Sequence, residues 1–259
     1  MPNTTLSPLE QKIYFAAKNA RDGVVSLEMV RSWNLTDEKS LLVILSRMAK
    51  KGWLLRLRKG IYLVSEPPAP AIRDIFVVST YCFPGYNAFS SALYLHGLTD
   101  MVPFEVLVAT RHESGVKTFG QYTVRAVALK DRFMGSMLQQ GRVVSTAPKT
   151  IYDCLTHPEL GGGHTQIMKA IHEANMDESG WKELFYYAEK FESHAFYQRL
   201  GYLLSLLPKK SRATKGAIRL CAQKAKSNIY LSGRGKGAYI PEWKLIDNVG
   251  KEALLSWWY

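Results

Sequence analysis

Cysteine is scarce in this chain of 259 residues: Cys82, Cys154 and Cys221 lie about seventy residues apart, odd in number and with no CxxC pair. Such spacing suggests neither a disulfide framework nor a zinc site, and a reducing, cytoplasmic setting fits best. Long apolar runs are missing as well. No stretch approaches the ~20 residues needed to span a bilayer. The opening MPNTTLSPLEQK has no basic region followed by an apolar core, so neither a leader nor a membrane partner is expected. Also missing are HExxH, GxSxG, a Walker A loop and a GxGxxG after a strand, which removes the commonest enzymatic signatures. Acidic residues are the last shortage. The 22 Asp+Glu face 34 Lys+Arg, for a formal net charge of +12 and a pI near 9.5. That balance favours nucleic acid or another acidic partner. With 47% hydrophobic residues, the chain can bury a sizeable core in two modest domains or one large one.

What is present is clearest between residues 26 and 64. Leu41, Leu45 and Met48 follow the i, i+4, i+7 spacing of an amphipathic helix, with Thr36 as its expected N-cap, Asp37 and Glu38 in its first turn and Gly52 as its stop. A shorter helix, Leu27 to Trp33, precedes it across a tight turn. After it, WLLRLRKGIYLV alternates apolar and basic residues around Lys59-Gly60, the pattern of an antiparallel hairpin with a glycine turn. An earlier helix, Pro8 to Asn19 capped by Ser7, turns Leu9, Ile13, Ala16 and Ala17 inward. Val24-Val25 can add a strand to the hairpin. The order is that of a winged helix-turn-helix. From Lys39 to Lys59 there are seven basic residues (Lys39, Arg47, Lys50, Lys51, Arg56, Arg58, Lys59) and no acidic one. A face like that favours a polyanion, because each neutralised phosphate releases counterions. Asp37 and Glu38 suit the helix dipole but occupy the place a phosphate would take.

The expected architecture is α+β: a winged helix-turn-helix over 1–64, a Pro-rich linker over 65–71, and a mixed α/β domain over 72–259 ending in a helical part. Prolines in SEPPAPA favour a stiff, extended spacer. Beyond it, Asp74 caps IFVVSTYCF, whose helix or strand character the pattern leaves open. Ser90 to His96 reads as a helix, and Phe104 to Thr110, Gln121 to Leu129 and RVVST as strands. KTIYDCLTH reads as a helix, followed by the glycines 161–163, taken as flexible. From His164 onward the pattern is helical, with Phe196, Leu200, Leu203, Leu204 and Leu207 at core spacing. Between Arg199 and Lys236 ten basic residues again stand without an acidic one. This second stretch could be a solvated face, a contact to a DNA backbone or a surface for an acidic partner.

Candidate chemistry is thin, and no catalytic residue, metal site or cofactor is assigned. Residues 232–238, SGRGKGA, have the glycines and cations of a phosphate cradle, but a loop between strands accounts for them. His164 and His172 are too far apart for ligands on one turn. His96, before a helix-ending glycine, reads as a capping or core residue. Asp100 with Glu105 echoes a magnesium nuclease, but Leu107 stands where that chemistry needs lysine.

Five stretches, in order over residues 6 to 250, together resemble the AbiEi family, the antitoxin components of abortive-infection (type IV) toxin-antitoxin pairs. RLRKGIYLV looks like that family's basic wing, and YNAFSSALYLHGL like its Ser-Ala-Leu-x-x-His-Gly-Leu segment. STAPKTIYDCLTHPELGGG, RLGYLLSLL and KGAYIPEWKLIDNV are similar to three later stretches. The resemblance implies a winged helix that represses its own operon in phage defence, and a C-terminal domain that counters a toxin with a nucleotidyltransferase fold. It gives a role to the recognition helix and to Arg56, Arg58, Lys59 and Gly60 of the wing. His96, Asp153 and the glycines 161–163 match without implying catalysis.

The resulting expectation is a DNA-binding autorepressor and antitoxin on double-stranded DNA with inverted repeats. Lys50, Arg56, Arg58 and Lys59 hold phosphates, while Lys39, Ser40, Val43 and Arg47 read bases. Two alternatives stand beside it: an interaction module that neutralises its partner toxin by direct binding, and a ligand-sensing winged-helix regulator.

Overall fold

A computed structural model describes residues 5–67, 72–208 and 210–258, without the side chain of residue 194. In chain order these form α1 (Pro8–Lys18), β1 (Val24–Ser26), α2 (Leu27–Ser32), α3 (Glu38–Lys50), β2 (Leu54–Arg58), β3 (Ile61–Val64) and α4 (Ile75–Cys82). Next come β4 (Gly85–Asn87), α5 (Phe89–Leu95), β5 (Glu105–Thr110), β6 (Gly115–Phe119), β7 (Tyr122–Ala128), β8 (Ser136–Gln139) and β9 (Arg142–Ser145). The remainder is α6 (Ala147–Thr156), α7 (Gly163–Ala174), α8 (Glu178–Lys190), α9 (His194–Leu206), α10 (Arg212–Gln223), β10 (Ile229–Tyr230), β11 (Ala238–Ile240), β12 (Leu245–Asp247) and α11 (Lys251–Leu255). The chain is α+β, and its contacts divide it into two units, Met1–Gly85 with Phe104–Ala128, and Tyr86–Pro103 with Leu129–Tyr259. Of the expected linker, residues 68–71 lie outside the described residues, and the first unit takes in chain on both sides of it.

In the first unit, Ser7 and Glu10 form a reciprocal capping box at the start of α1, which Pro8 then opens. Ile13, Tyr14 and Ala17 of α1, Val30 of α2, and Leu41, Ile44, Leu45 and Met48 of α3 bury together with Val25, Leu54 and Tyr62. This is one contiguous core under three helices, and its apolar stripe on α3 is the one the spacing predicts. The cap of α3 differs from expectation. Asp37, not Thr36, is the N-cap, its Oδ1 accepting from the Ser40 amide at 3.0 Å. An ionised carboxylate suits the positive end of a helix better than a hydroxyl, which explains the one-residue shift.

The sheet beside these helices has the order β1-β3-β2, antiparallel throughout. Its hairpin turns at Lys59-Gly60, where Gly60 has φ +74°, a conformation glycine adopts without strain. The Gly60 carbonyl accepts from the Leu27 amide at 2.7 Å, tying the turn to the start of α2. Between Arg56 and Arg58 the register slips by one residue, so Leu57 is an extra residue whose side chain is buried. Helices and hairpin thus come in the order of a winged helix-turn-helix. The undecided segment after Asp74 is helix α4, its first amides held by Asp74 Oδ1. It packs on β2, and on β5 and β7, which pair in parallel with β6 antiparallel at the edge of β7.

The second unit is built around α6, in which residues 149–155 are all buried. It packs against α5, α7, α8 and α9, with β8, β9 and residues Tyr86 and Asn87 of β4 in the same unit. Of the glycines after α6, Gly162 and Gly163 take a positive φ, +81° and +83°, and Gly161 answers to packing. A Cβ on Gly161 would come within 2.8 Å of the Cys154 Cβ, so only glycine lets the chain pass there. The helical part carries the expected core on α9, and it also holds a small sheet, β10-β12-β11, that the periodicity did not reveal. Residues 232–237 form the loop into β11, and the element it leads into is a strand rather than a helix, so the loop lacks the geometry of a phosphate cradle.

Candidate nucleic-acid interface

Around α3, at 3.6 residues per turn, the face opposite the core carries Lys39, Val43, Ser46, Arg47 and Lys50, with Leu42 at one flank and Ser40 at the other. All of these are exposed except Ser40, which is half-buried and whose amide is engaged in the Asp37 cap. The wing adds Arg56, Arg58 and Lys59, all exposed. Every residue expected to touch DNA therefore lies on the outer side of α3 or on the hairpin, within one unit. Leu42 and Ser46 were not anticipated, although their spacing of three and seven from Lys39 is the signal that would have found them.

Electrostatics separate these cations from their neighbours. Lys51, counted with them from sequence, belongs to the fold. Its Nζ is 2.7 Å from the buried Glu10 carboxylate and 2.9 Å from the Thr5 carbonyl. Burial works to raise the Glu10 carboxyl, but hydrogen bonds from Lys51 and Ser7 outweigh it and hold Glu10 below the usual carboxylate range. Among the described residues, no ion pair involves Lys39, Arg47, Lys50, Arg56, Arg58 or Lys59. Arg58 is nonetheless anchored. Its Nε donates to the Tyr81 carbonyl on α4 at 3.0 Å, and the Tyr81 hydroxyl reaches Asp22 at 3.3 Å. This contact fixes the wing's direction while leaving part of the guanidinium outward.

The acidic start of α3 is partly answered within the same unit. Glu38 pairs with Arg31 of α2, and hydrogen bonds from Ser40 keep Asp37 below its ordinary value, committing its charge to the cap. The exposed cations clear of that acidic start are those of the wing and of the later turns of α3.

The other candidates resolve into structure. His96 Nε2 lies 2.7 Å from the Ser145 carbonyl, Asp100 pairs with Lys169, and Glu105 with Arg125 at 3.0 Å. Asp153 sits at 2.5 Å from Lys149, both essentially without solvent exposure. Burial drives the lysine down and the aspartate up, against their mutual attraction. Of the second basic stretch, Arg212, Lys215 and Arg219 line a groove of about 490 Å³ between α8 and α10, with Lys182 and Glu178, over Trp181, Phe185 and Leu220. No helix among the described residues is long and apolar enough to cross a membrane.

Residues 14–65 match a family model described as a transcriptional regulator, AbiEi antitoxin. The match runs from the middle of α1 to the end of β3, the segment that carries both α3 and the wing. Of the five stretches that resemble the AbiEi family, the first, RLRKGIYLV, lies within this match. No curated protein matches the chain. Among solved structures, the crystal structure of the Rv2827c protein from Mycobacterium tuberculosis is similar in fold, with a TM-score of 0.68 at 13% identity, over 97% of this chain and 95% of that one.

Proposed function

We propose that this chain is a DNA-binding repressor that also serves as the antitoxin of a type IV toxin-antitoxin pair, residues 1–64 forming its DNA-binding domain. One observation carries the reading. Inside the stretch that matches an antitoxin and regulator family, six exposed cations on α3 and the wing have no carboxylate partner among the described residues. Lys50, Arg56, Arg58 and Lys59 hold phosphates, and Lys39, Ser40, Val43 and Arg47 reach base edges. One winged helix covers one half-site, so two copies occupy inverted repeats about one helical turn (~34 Å) or a multiple apart. The test is the salt dependence of duplex binding. Arg56→Ala with Lys59→Ala should weaken binding to every sequence and lower the log-log slope by ~0.9 per lost contact. An unchanged slope removes the wing from the interface.

A second reading concerns how the toxin is countered. The groove between α8 and α10 has a cationic rim over an aromatic floor, which suits an acidic segment of a partner with a nucleotidyltransferase fold. Direct neutralisation through it requires the two proteins to co-purify, and Arg212→Glu with Arg219→Glu to release the partner while leaving DNA binding intact.

A further inference from the structure

The outer face of α3 contains two apolar side chains that the core does not use. Val43 is 56% exposed and Leu42 46% exposed. Val43 is not at the edge of the polar face but at its middle: Lys39, Lys50, Ser46 and Arg47 all lie within roughly 60° of it around the helix. A β-branched residue ringed by cations gains nothing from packing in the free protein. Its burial has to come from whatever the cations attract.

On the reading that this face enters a major groove, the apolar group available there is the 5-methyl of thymine, since the other base-edge groups in that groove are hydrogen-bond donors or acceptors. We propose that Val43, with Leu42 beside it, reads thymine methyls, so that each half-site carries a T·A pair opposite the middle of α3. The flanking Lys39 and Arg47 are placed to take guanine acceptors next to it, the pairing best suited to cationic side chains. The proposal rests on the DNA-binding reading and goes further by giving part of the sequence that is recognised.

The experiment uses the full chain. Duplexes enriched from a randomised library are measured by fluorescence anisotropy with each thymine replaced in turn by uracil, which removes the methyl and keeps the pairing. Removing one buried methyl should weaken binding roughly fourfold at one or two positions per half-site. Val43→Ser, or Val43→Ser with Leu42→Ser, should bind thymine and uracil duplexes equally, with an unchanged salt slope. Both residues are exposed, so these variants retain the wild-type melting temperature. If no thymine position is sensitive, or if the double variant still discriminates, the methyl reading is overturned while DNA binding stands. If no duplex is enriched at all, the DNA-binding reading fails with it. If Val43→Ser instead changes the sedimentation of the free protein and leaves the thymine-to-uracil ratio untouched, the face joins two copies of the chain and the proposal is wrong.

Discussion

From Lys39 to Lys59, one of seven cations, Lys51, is drawn into an ion pair among the described residues, and the others stand outward on a helix and a hairpin. From Arg199 to Lys236 the charges are spent differently. Arg199 is half-buried and donates to the Tyr230 carbonyl at 3.2 Å, Lys210 reaches the Leu207 carbonyl at 2.5 Å, and Lys224 faces Glu189 at 3.8 Å. Arg212, Lys215 and Arg219 line a groove, and with Lys226, Arg234 and Lys236 they are exposed without an ion pair among the described residues. A run of cations without a carboxylate in sequence can therefore supply both a free electrostatic surface and local struts. The distinction lies in which carbonyls and carboxylates the fold brings near.

The largest effect that would sharpen this contrast is in the charges that are wholly enclosed. Asp153→Ala leaves the Lys149 ammonium without its partner in a dry site, and should cost about 3–5 kcal/mol in urea denaturation. Replacing the pair together by Lys149→Met and Asp153→Leu should cost much less. A loss below about 1 kcal/mol for the single change would mean that water reaches the site.

The next effect is acid sensitivity. Burial, aided by the nearby Arg199 charge, pushes the His164 imidazole down to about 4, whereas the unfolded chain titrates near 6.5. Between those values the unfolded state binds the extra proton, so the stabilisation is complete above pH 6.5 and is lost as pH falls toward 4, roughly 3 kcal/mol in all. Denaturation midpoints across that range should fall for the wild type and flatten for His164→Gln.

Smaller, and aimed directly at the comparison, is the pair Arg199→Ala and Arg56→Ala. The first removes a half-buried strut and should cost about 1–2 kcal/mol in stability; the second should stay within about 0.5 kcal/mol and act only on DNA binding. Arg58→Ala should fall between them, because its guanidinium also holds the Tyr81 carbonyl. Finally, Arg212→Ala with Arg219→Ala should leave the salt slope of DNA binding where it was. A drop of ~0.9 per residue would place α10 on DNA and erase the distinction.

The elements that were legible are those whose residues repeat. The stripe Leu41, Leu45, Met48 and the alternation through Arg56 and Arg58 each report one face of a regular element, and they gave α3 and the wing. IFVVSTYCF has no polar face to set a period, so its helix became visible only as α4 capped by Asp74. Strands β10, β11 and β12 have two or three residues each, too short for alternation to register. The eight residues expected at the candidate site lie on the outer side of α3 and on the hairpin, where Leu42 and Ser46 are exposed beside them, whereas Lys51, one of the seven cations counted in that stretch, is held by Glu10.

Helical spacing and the excess of positive charge follow from the residue order alone, because neighbours three, four or seven apart share a face whatever the rest of the chain does. Which charges remain free is decided only when distant segments meet. Lys51 finds Glu10 from 41 residues away, Arg58 finds Tyr81 from 23, and Tyr202 donates to Asp247 from 45. A hydrogen bond acts over about 3 Å, and no local pattern can report a partner that the folded backbone alone brings within that reach.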